Sequence, residues 1–457
     1  MISRHPAAWL AATLGVVFLL LGTAAVFAGA AVGSGASGGP ADSSSTAAAG
    51  RPIPAEMPAA SRLRTCSIAA LATDPRLKAL SGAVVNASTG ELLFDRAAST
   101  GVSQGSVLKV LTAAAALNIL GPDYQLSTRV FEGSMPGTIV LVGGGDPTIS
   151  RLPKGEESVY AGAPKLSVLA EQVLSAYSQP ITSIVLDASM WNSSDKWDST
   201  WSRTEQTTGY LSEVTALQVD GDRQDPTEAV SPRSTDPVGR AGVLFAKALG
   251  LDPDDVTFTA GTAVTTKPLL GEVTSQPISV LINQMLVASD GTLAETMARV
   301  VSRQMGLGGS AASLNQAISS PLAVYEVETS GLTIRDGSGL STSNAVPPAF
   351  MAEFMIKVMQ GGQNLNLIFN SLAVSGKTGV LAGRFTGANA VAKGAVFAKT
   401  GWLDTEYSLA GTINAADGSQ LAFAFYAIGA GIKDNAKAAL DTLTTGAFNC
   451  GDNLSNN

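Results

Sequence analysis

Gly105-Ser106-Val107-Leu108-Lys109-Val110-Leu111-Thr112-Ala113-Ala114-Ala115-Ala116-Leu117 reads as a turn running into an apolar, Ala-rich helix. A serine and a lysine three residues apart at a helix start lie on one helical face. That spacing sets an amine beside a hydroxyl without any histidine. The point matters because the chain has one His, His5, which precedes a membrane-like segment. A Ser-His-Asp triad inside a folded domain is therefore excluded, and so is a His-ligated zinc site. A nucleophilic serine in this chain takes a lysine as its base.

Ser-x-x-Lys is short, and a chain this long carries about one or two copies by chance. A second copy, Ser193-Ser194-Asp195-Lys196, sits among Met190-Trp191-Asn192 and Trp197-Asp198-Ser199. That setting is polar, capping-rich and loop-like, so the copy reads as an accident. The copy at Ser106 opens a helix that can be buried.

A length of 457 residues indicates two or three domains or one large composite domain. Net charge is −8, with only 14% charged residues and no long basic run, which argues against nucleic acid as a partner. No charge interrupts Pro6 to Ser34, and the run from Trp9 to Val32 is apolar. More than about 20 such residues can span a bilayer. An uncleaved anchor and a signal segment cleaved near Phe27-Ala28-Gly29-Ala30 compete here; the length of the run favours the anchor. Both readings export the rest of the chain to the cell envelope or beyond. In an exported protein the two cysteines, Cys66 and Cys450, are expected to form a disulfide, closing a loop of about 385 residues and bringing the chain ends together.

Residues 34–61 are Gly, Ser, Ala and Pro in low-complexity order and read as a flexible linker. Val84-Val85-Asn86-Ala87-Ser88-Thr89-Gly90-Glu91-Leu92-Leu93-Phe94 has the pattern of a hairpin. The Gly143-Gly144-Gly145-Asp146-Pro147 passage lacks the spacing and the Gly-Lys-Ser/Thr of a phosphate loop and reads as a tight structural turn. Residues 126–270 look like an inserted module with no constellation of reactive side chains. From Pro277 onward long helices return, followed by alternating strands and turns around Ala398-Lys399-Thr400-Gly401. Helices with an antiparallel sheet indicate an α+β core.

Lys-Thr-Gly occurs at Lys377 and again at Lys399. With Ser-x-x-Lys upstream, the order resembles the penicillin-interacting serine enzymes. More narrowly it resembles the D-alanyl-D-alanine carboxypeptidase/endopeptidase family of class C low-molecular-mass penicillin-binding proteins. Five passages carry the resemblance: Ser106 to Leu117; Gly143 to Thr148; Ser289-Asp290-Gly291 with Leu293-Ala294-Glu295; Asp336 to Ser341; and Ala398 to Gly401 with Ser408-Leu409-Ala410-Gly411. They span about Leu71 to Ala447.

The resemblance implies an α+β, penicillin-binding/serine β-lactamase-like transpeptidase fold, with an antiparallel sheet between helices on both sides. It assigns 62–125 and 271–457 to a catalytic domain, with 126–270 inserted and 1–33 as anchor or signal segment. It implies D-Ala-D-Ala carboxypeptidase and possibly endopeptidase activity on peptidoglycan stem peptides, with β-lactams as inhibitors and no cofactor or metal. Ser106 would be the nucleophile, Lys109 its base, Ser289 a proton relay, and Lys399 the cation for the substrate carboxylate. Thr400, Gly401 and Trp402 would line the substrate, with the Ser106 and Trp402 amides as oxyanion hole. Lys399 is preferred to Lys377 because it follows an apolar strand and precedes a returning one. Two positions depart from the family pattern: Gly291 stands where Asn is usual, and Trp402 where a hydroxyl is usual. They leave open a degenerate cell-wall-binding homologue, and a β-lactamase is the third reading.

Overall fold

The computed structural model describes residues 63–456. The apolar run from Pro6 to Ser34 and the linker lie outside the described residues. Among the described residues no helix is long and apolar enough to cross a membrane.

Five long strands and one short one form a six-stranded antiparallel sheet. They are β2 (Ala79–Asn86), β3 (Leu92–Arg96), β9 (Ala373–Val374), β10 (Val396–Leu403), β11 (Glu406–Asn414) and β12 (Gln420–Ile428), in the order β3-β2-β12-β11-β10-β9. Side chains alternate across a strand with period two. Along β12, Leu421, Phe423, Phe425 and Ala427 therefore join one core while Ala422, Ala424 and Tyr426 join another.

The small-residue face of Ala83, Ala410, Ala422 and Ala424 shares one core with four helices. These are α1 (Lys109–Ile119), α4 (Ile278–Ala288), α5 (Gly291–Gln304) and α6 (Pro348–Gln360). The Phe-rich face packs on α7 (Ala436–Cys450). Helices thus cover both faces of the sheet, the α+β arrangement expected from the sequence. Every residue from Lys109 to Leu117 is buried, so α1 is central and apolar all round. Its alanines let neighbouring backbones approach closely.

A second, mixed sheet runs from residue 127 to 274. It comprises β4 (Ser127–Glu132), β5 (Thr138–Gly143), β6 (Ser183–Asp187), β7 (Thr257–Ala260) and β8 (Leu269–Thr274), ordered β7-β6-β5-β4-β8. It has its own core with α2 (Leu166–Ala176) and α3 (Pro237–Ala248). The boundary expected at residue 270 falls inside β8, which carries this sheet four residues further.

Two-residue strands β1 (Cys66–Ser67) and β13 (Leu454–Ser455) pair in parallel. Beside them Cys66 and Cys450 are disulfide-bonded, with their Cα atoms 5.4 Å apart.

Candidate active site

Ser106 and Lys109 meet at the amino end of α1. A single 3-10 turn, Gly105–Leu108, leads into the helix and brings the two side chains together. Lys109 Nζ donates to Ser106 Oγ at 2.7 Å and to the Ser338 carbonyl at 2.7 Å. Lys109 is only 2% exposed. Burial pushes its ammonium down to about 8, against the opposing pull of Asp336, Asp290 and Glu295.

The Ser338 carbonyl is itself held in place. Glu295 Oε1, on α5, accepts from the amides of Gly337 at 2.9 Å and Ser338 at 2.7 Å. Asp336 accepts from Gly339 N at 2.8 Å, Ser341 N at 2.6 Å and Trp201 Nε1 at 2.8 Å. Asp336 is thus a buried brace of the turn whose Ser338 carbonyl holds Lys109.

Ser289 sits at the junction of α4 and α5. Its φ of +56° is the left-handed conformation, uncommon for a residue with a Cβ and concentrated at functional sites. Asp290 then caps α5, accepting from Leu293 N at 2.9 Å. Together these turns aim the Ser289 hydroxyl at Lys399, whose Nζ donates to it at 2.9 Å. Lys399 also donates to the Thr400 carbonyl at 2.9 Å. Burial, and then the charge of Lys109, depress Lys399 well below an ordinary lysine. The repulsion falls on Lys399, whereas the lowering of Lys109 comes from burial.

Strand β10 places Lys399, Thr400, Gly401 and Trp402 beside the Gly105–Leu108 turn. The neighbouring β9 pairs only with Phe397 and Ala398, so β10 is an open edge from Lys399 onward. A Cβ on Gly401 would stand 3.0 Å from Ser106 N and 2.5 Å from Gln104 O, so no side chain fits there. A Cβ on Gly105, at φ +51°, would stand 3.1 Å from Trp402 N. This close approach sets the Ser106 and Trp402 amides on adjoining backbones.

A cavity of about 410 Å³ opens over these groups. Ser106, Lys109, Ser289, Gly291, Thr400 and Trp402 all line it. Trp402 is 42% exposed and packs edge-on against Tyr210, with ring centroids 5.9 Å apart. In place of a hydroxyl, the mouth of the cleft carries an aromatic pair. At Gly291 a Cβ would lie 3.2 Å from Leu211, so the inserted segment occupies part of the space in front of it.

The expectation that residues 126–270 hold no reactive constellation does not survive. Tyr160, Tyr210, Leu211 and Arg223 from that segment line the same cavity. Arg223 is buried against Asp290, and Tyr160 OH donates to Asp290 at 2.9 Å. Isolated arginines and tyrosines in a long insertion give no periodic signal, which is why the sequence did not reveal them.

Lys377 lies in an exposed turn after β9, its amide donating to the Val374 carbonyl at 3.0 Å. The second Ser-x-x-Lys is also remote. Lys196 pairs with Glu213 at 2.6 Å and Asp195 with the buried Arg299 at 3.0 Å.

The chain is 34% identical to a carboxypeptidase of Mycobacterium tuberculosis over 392 residues, covering 85% of this chain and 84% of that protein. It is 33% identical to carboxypeptidase DacB of Mycolicibacterium smegmatis over 447 residues, covering 96% of each. Its fold is that of the crystal structure of penicillin binding protein 4 from Haemophilus influenzae. The TM-score is 0.69 at 20% identity, over 83% of this chain and 98% of that one. The sequence also matches the D-Ala-D-Ala carboxypeptidase 3 (S13) family over residues 64–230 and 223–446. The match runs through both the catalytic-fold sheet and the inserted segment, and the chain belongs to the D-Ala-D-Ala carboxypeptidase 3 (S13) family.

Proposed function

We propose that this serine-type D-Ala-D-Ala carboxypeptidase acts on peptidoglycan stem peptides in the cell envelope, with Ser106 as nucleophile. The observation that carries the assignment is the 2.7 Å contact between Ser106 Oγ and the buried Lys109 Nζ. An amine whose pKa falls to about 8 is neutral in a useful fraction near neutrality and can accept the serine proton.

Ser106 Oγ forms a bond to the carbonyl carbon of the D-Ala-D-Ala peptide while its proton passes to Lys109. Charge that collects on the carbonyl oxygen faces the amides of Ser106 and Trp402, fixed donors that need no reorganisation. The C–N bond then breaks. The departing amine takes, through the Ser289 hydroxyl that accepts from Lys399 at 2.9 Å, the proton that Lys109 gained, and D-Ala leaves. Lys109, neutral again, takes a proton from water as the water oxygen bonds to the ester carbon; the Ser106–acyl bond breaks and that proton returns to Ser106 Oγ.

Lys399 and Thr400 receive the terminal carboxylate. That anion supplies a counter-charge for Lys399 and draws a proton onto it. A β-lactam carbonyl enters the same path and leaves Ser106 acylated. The apolar segment ahead of the domain would hold the enzyme at the membrane or direct its export.

The test is intact-mass analysis after labelling with a tagged penicillin, using wild type, Ser106→Ala and Ser193→Ala. A single adduct lost only in Ser106→Ala is expected. A folded wild type with no adduct would instead identify a catalytically inert cell-wall binder, and rapid turnover of the penicillin would identify a β-lactamase.

A further inference from the structure

Glu406 opens β11 and is 1% exposed. It faces Leu403 across the ladder, one residue past Trp402. The Cβ absent from Gly105 would meet Glu406 Oε1 at 3.2 Å and Trp402 N at 3.1 Å. Gly105 directly precedes Ser106. The Glu406 carboxyl therefore lies against the backbone that carries both amides of the oxyanion hole.

Its surroundings are polar, and among the described residues no cationic side chain forms an ion pair with it. Tyr426 faces it from β12, in register with Ser408 of β11. The Ser408 hydroxyl donates to Gln104 O at 2.7 Å. Ser103 and Gln104 approach from the segment before α1. Glu406 Oε1, Tyr426 OH, Ser103 Oγ and both amide atoms of Gln104 are buried without a hydrogen bond. Asp404, in the turn between β10 and β11, is exposed. Burial pushes the Glu406 carboxyl up to about 7, against the neighbouring Ser103 hydroxyl, which favours the anion.

Resting on the reading of Ser106 as nucleophile, we propose that Glu406 is a positioning residue for the oxyanion hole, and that its carboxyl must be protonated while Ser106 is acylated. The neutral acid fills the space behind Gly105 and keeps the Gly105–Ser106 turn against β10. The anion would place an unpaired negative charge behind the two donors, opposing the charge that develops on the carbonyl oxygen in front of them.

The experiment follows the second-order rate of acylation of Ser106 by a fluorescent penicillin, with the full-length chain, from pH 6 to 9. Glu406→Gln keeps the shape of the side chain and cannot ionise. Lys109 titrates in both proteins, so the ratio of variant to wild-type rate isolates Glu406. That ratio is expected to rise about tenfold across the range, the effect of one poorly screened charge. Ser103→Ala removes a hydroxyl that favours the anion and should move the alkaline loss to higher pH. A flat ratio in a Glu406→Gln protein that still takes one adduct, or an unmoved Ser103→Ala profile, overturns the proposal and leaves Ser106 as the nucleophile. Should Glu406→Gln fail to fold, the Ser103→Ala profile decides. A wild type that takes no adduct at any pH overturns both readings.

Discussion

Arg223 Nη2 lies 2.6 Å from Asp290 Oδ2, with both side chains 3% exposed, and this contact ties the inserted segment to the residue next to Ser289. Burial alone would favour the neutral acid. Arg223 and Arg233 outweigh it and hold Asp290 down to about 2. Because its folded pKa is depressed from 3.8, the pair's stabilisation is complete above about pH 4 and is lost as pH falls toward 2. Arg223→Ala leaves a buried carboxylate unpaired and should cost about 3–5 kcal/mol in chemical denaturation at neutral pH. It should also slow penicillin acylation, because Ser289 loses its neighbour's anchor.

The nucleophile and its base are separable from the other serine–lysine pair. Ser106→Ala should abolish D-Ala release, and Lys109→Ala should reduce acylation by at least about a thousandfold. Release of D-Ala from a pentapeptide is the readout, with circular dichroism to establish folding.

The two Lys-Thr-Gly copies give opposite expectations. Lys399→Ala should lower kcat/KM about 50–100-fold through loss of a charge-assisted contact to the substrate carboxylate. Lys377→Ala, in an exposed turn, should leave it within twofold.

With Glu406 replaced by Gln, the rate of acylation should rise with pH along a single limb centred near 8, where Lys109 loses its proton. The sign follows from the role: the neutral amine is the base, so activity is absent below the folded pKa and complete above it. Stopped-flow acylation from pH 6 to 10 checks the midpoint.

Reduction of Cys66–Cys450 frees a loop with a sequence separation of 384, for which chain entropy gives a loss of about 4–6 kcal/mol. A lower thermal midpoint of the Cys66→Ser, Cys450→Ser protein is the measurement.

Local signals made much of this structure legible. The hairpin ending in Phe94, the helix after Ser106 and the strand through Lys399 each announce themselves by periodicity and turn residues. Their order along the chain suffices to point to the family. The disulfide followed from compartment and position. What stayed hidden depends on side chains meeting across long separations. Arg223 and Asp290 are 67 residues apart, and Glu295 reaches Ser338 across 43. A single arginine in a long insertion, or one glutamate in a mixed helix, shows no partner until folding supplies it. Glu406 was hidden for another reason. A charged residue at a strand start reads as solvent-facing, and only the packing of Gly105 against it reveals that it is enclosed.

The short reach of β9 has a further consequence for how the protein avoids its own kind. A strand with unpaired amides is a template on which other chains, including further copies of the same molecule, can stack. Natural sheets discourage such growth by turning a charge-bearing side chain inward at the bare edge. Lys399 occupies that position, beyond the last residue β9 covers. The side chain assigned to greet a substrate's terminus therefore also makes the cleft an unwelcoming place for an ordinary β-strand, so that the enzyme can keep an edge open for its peptide without inviting aggregation.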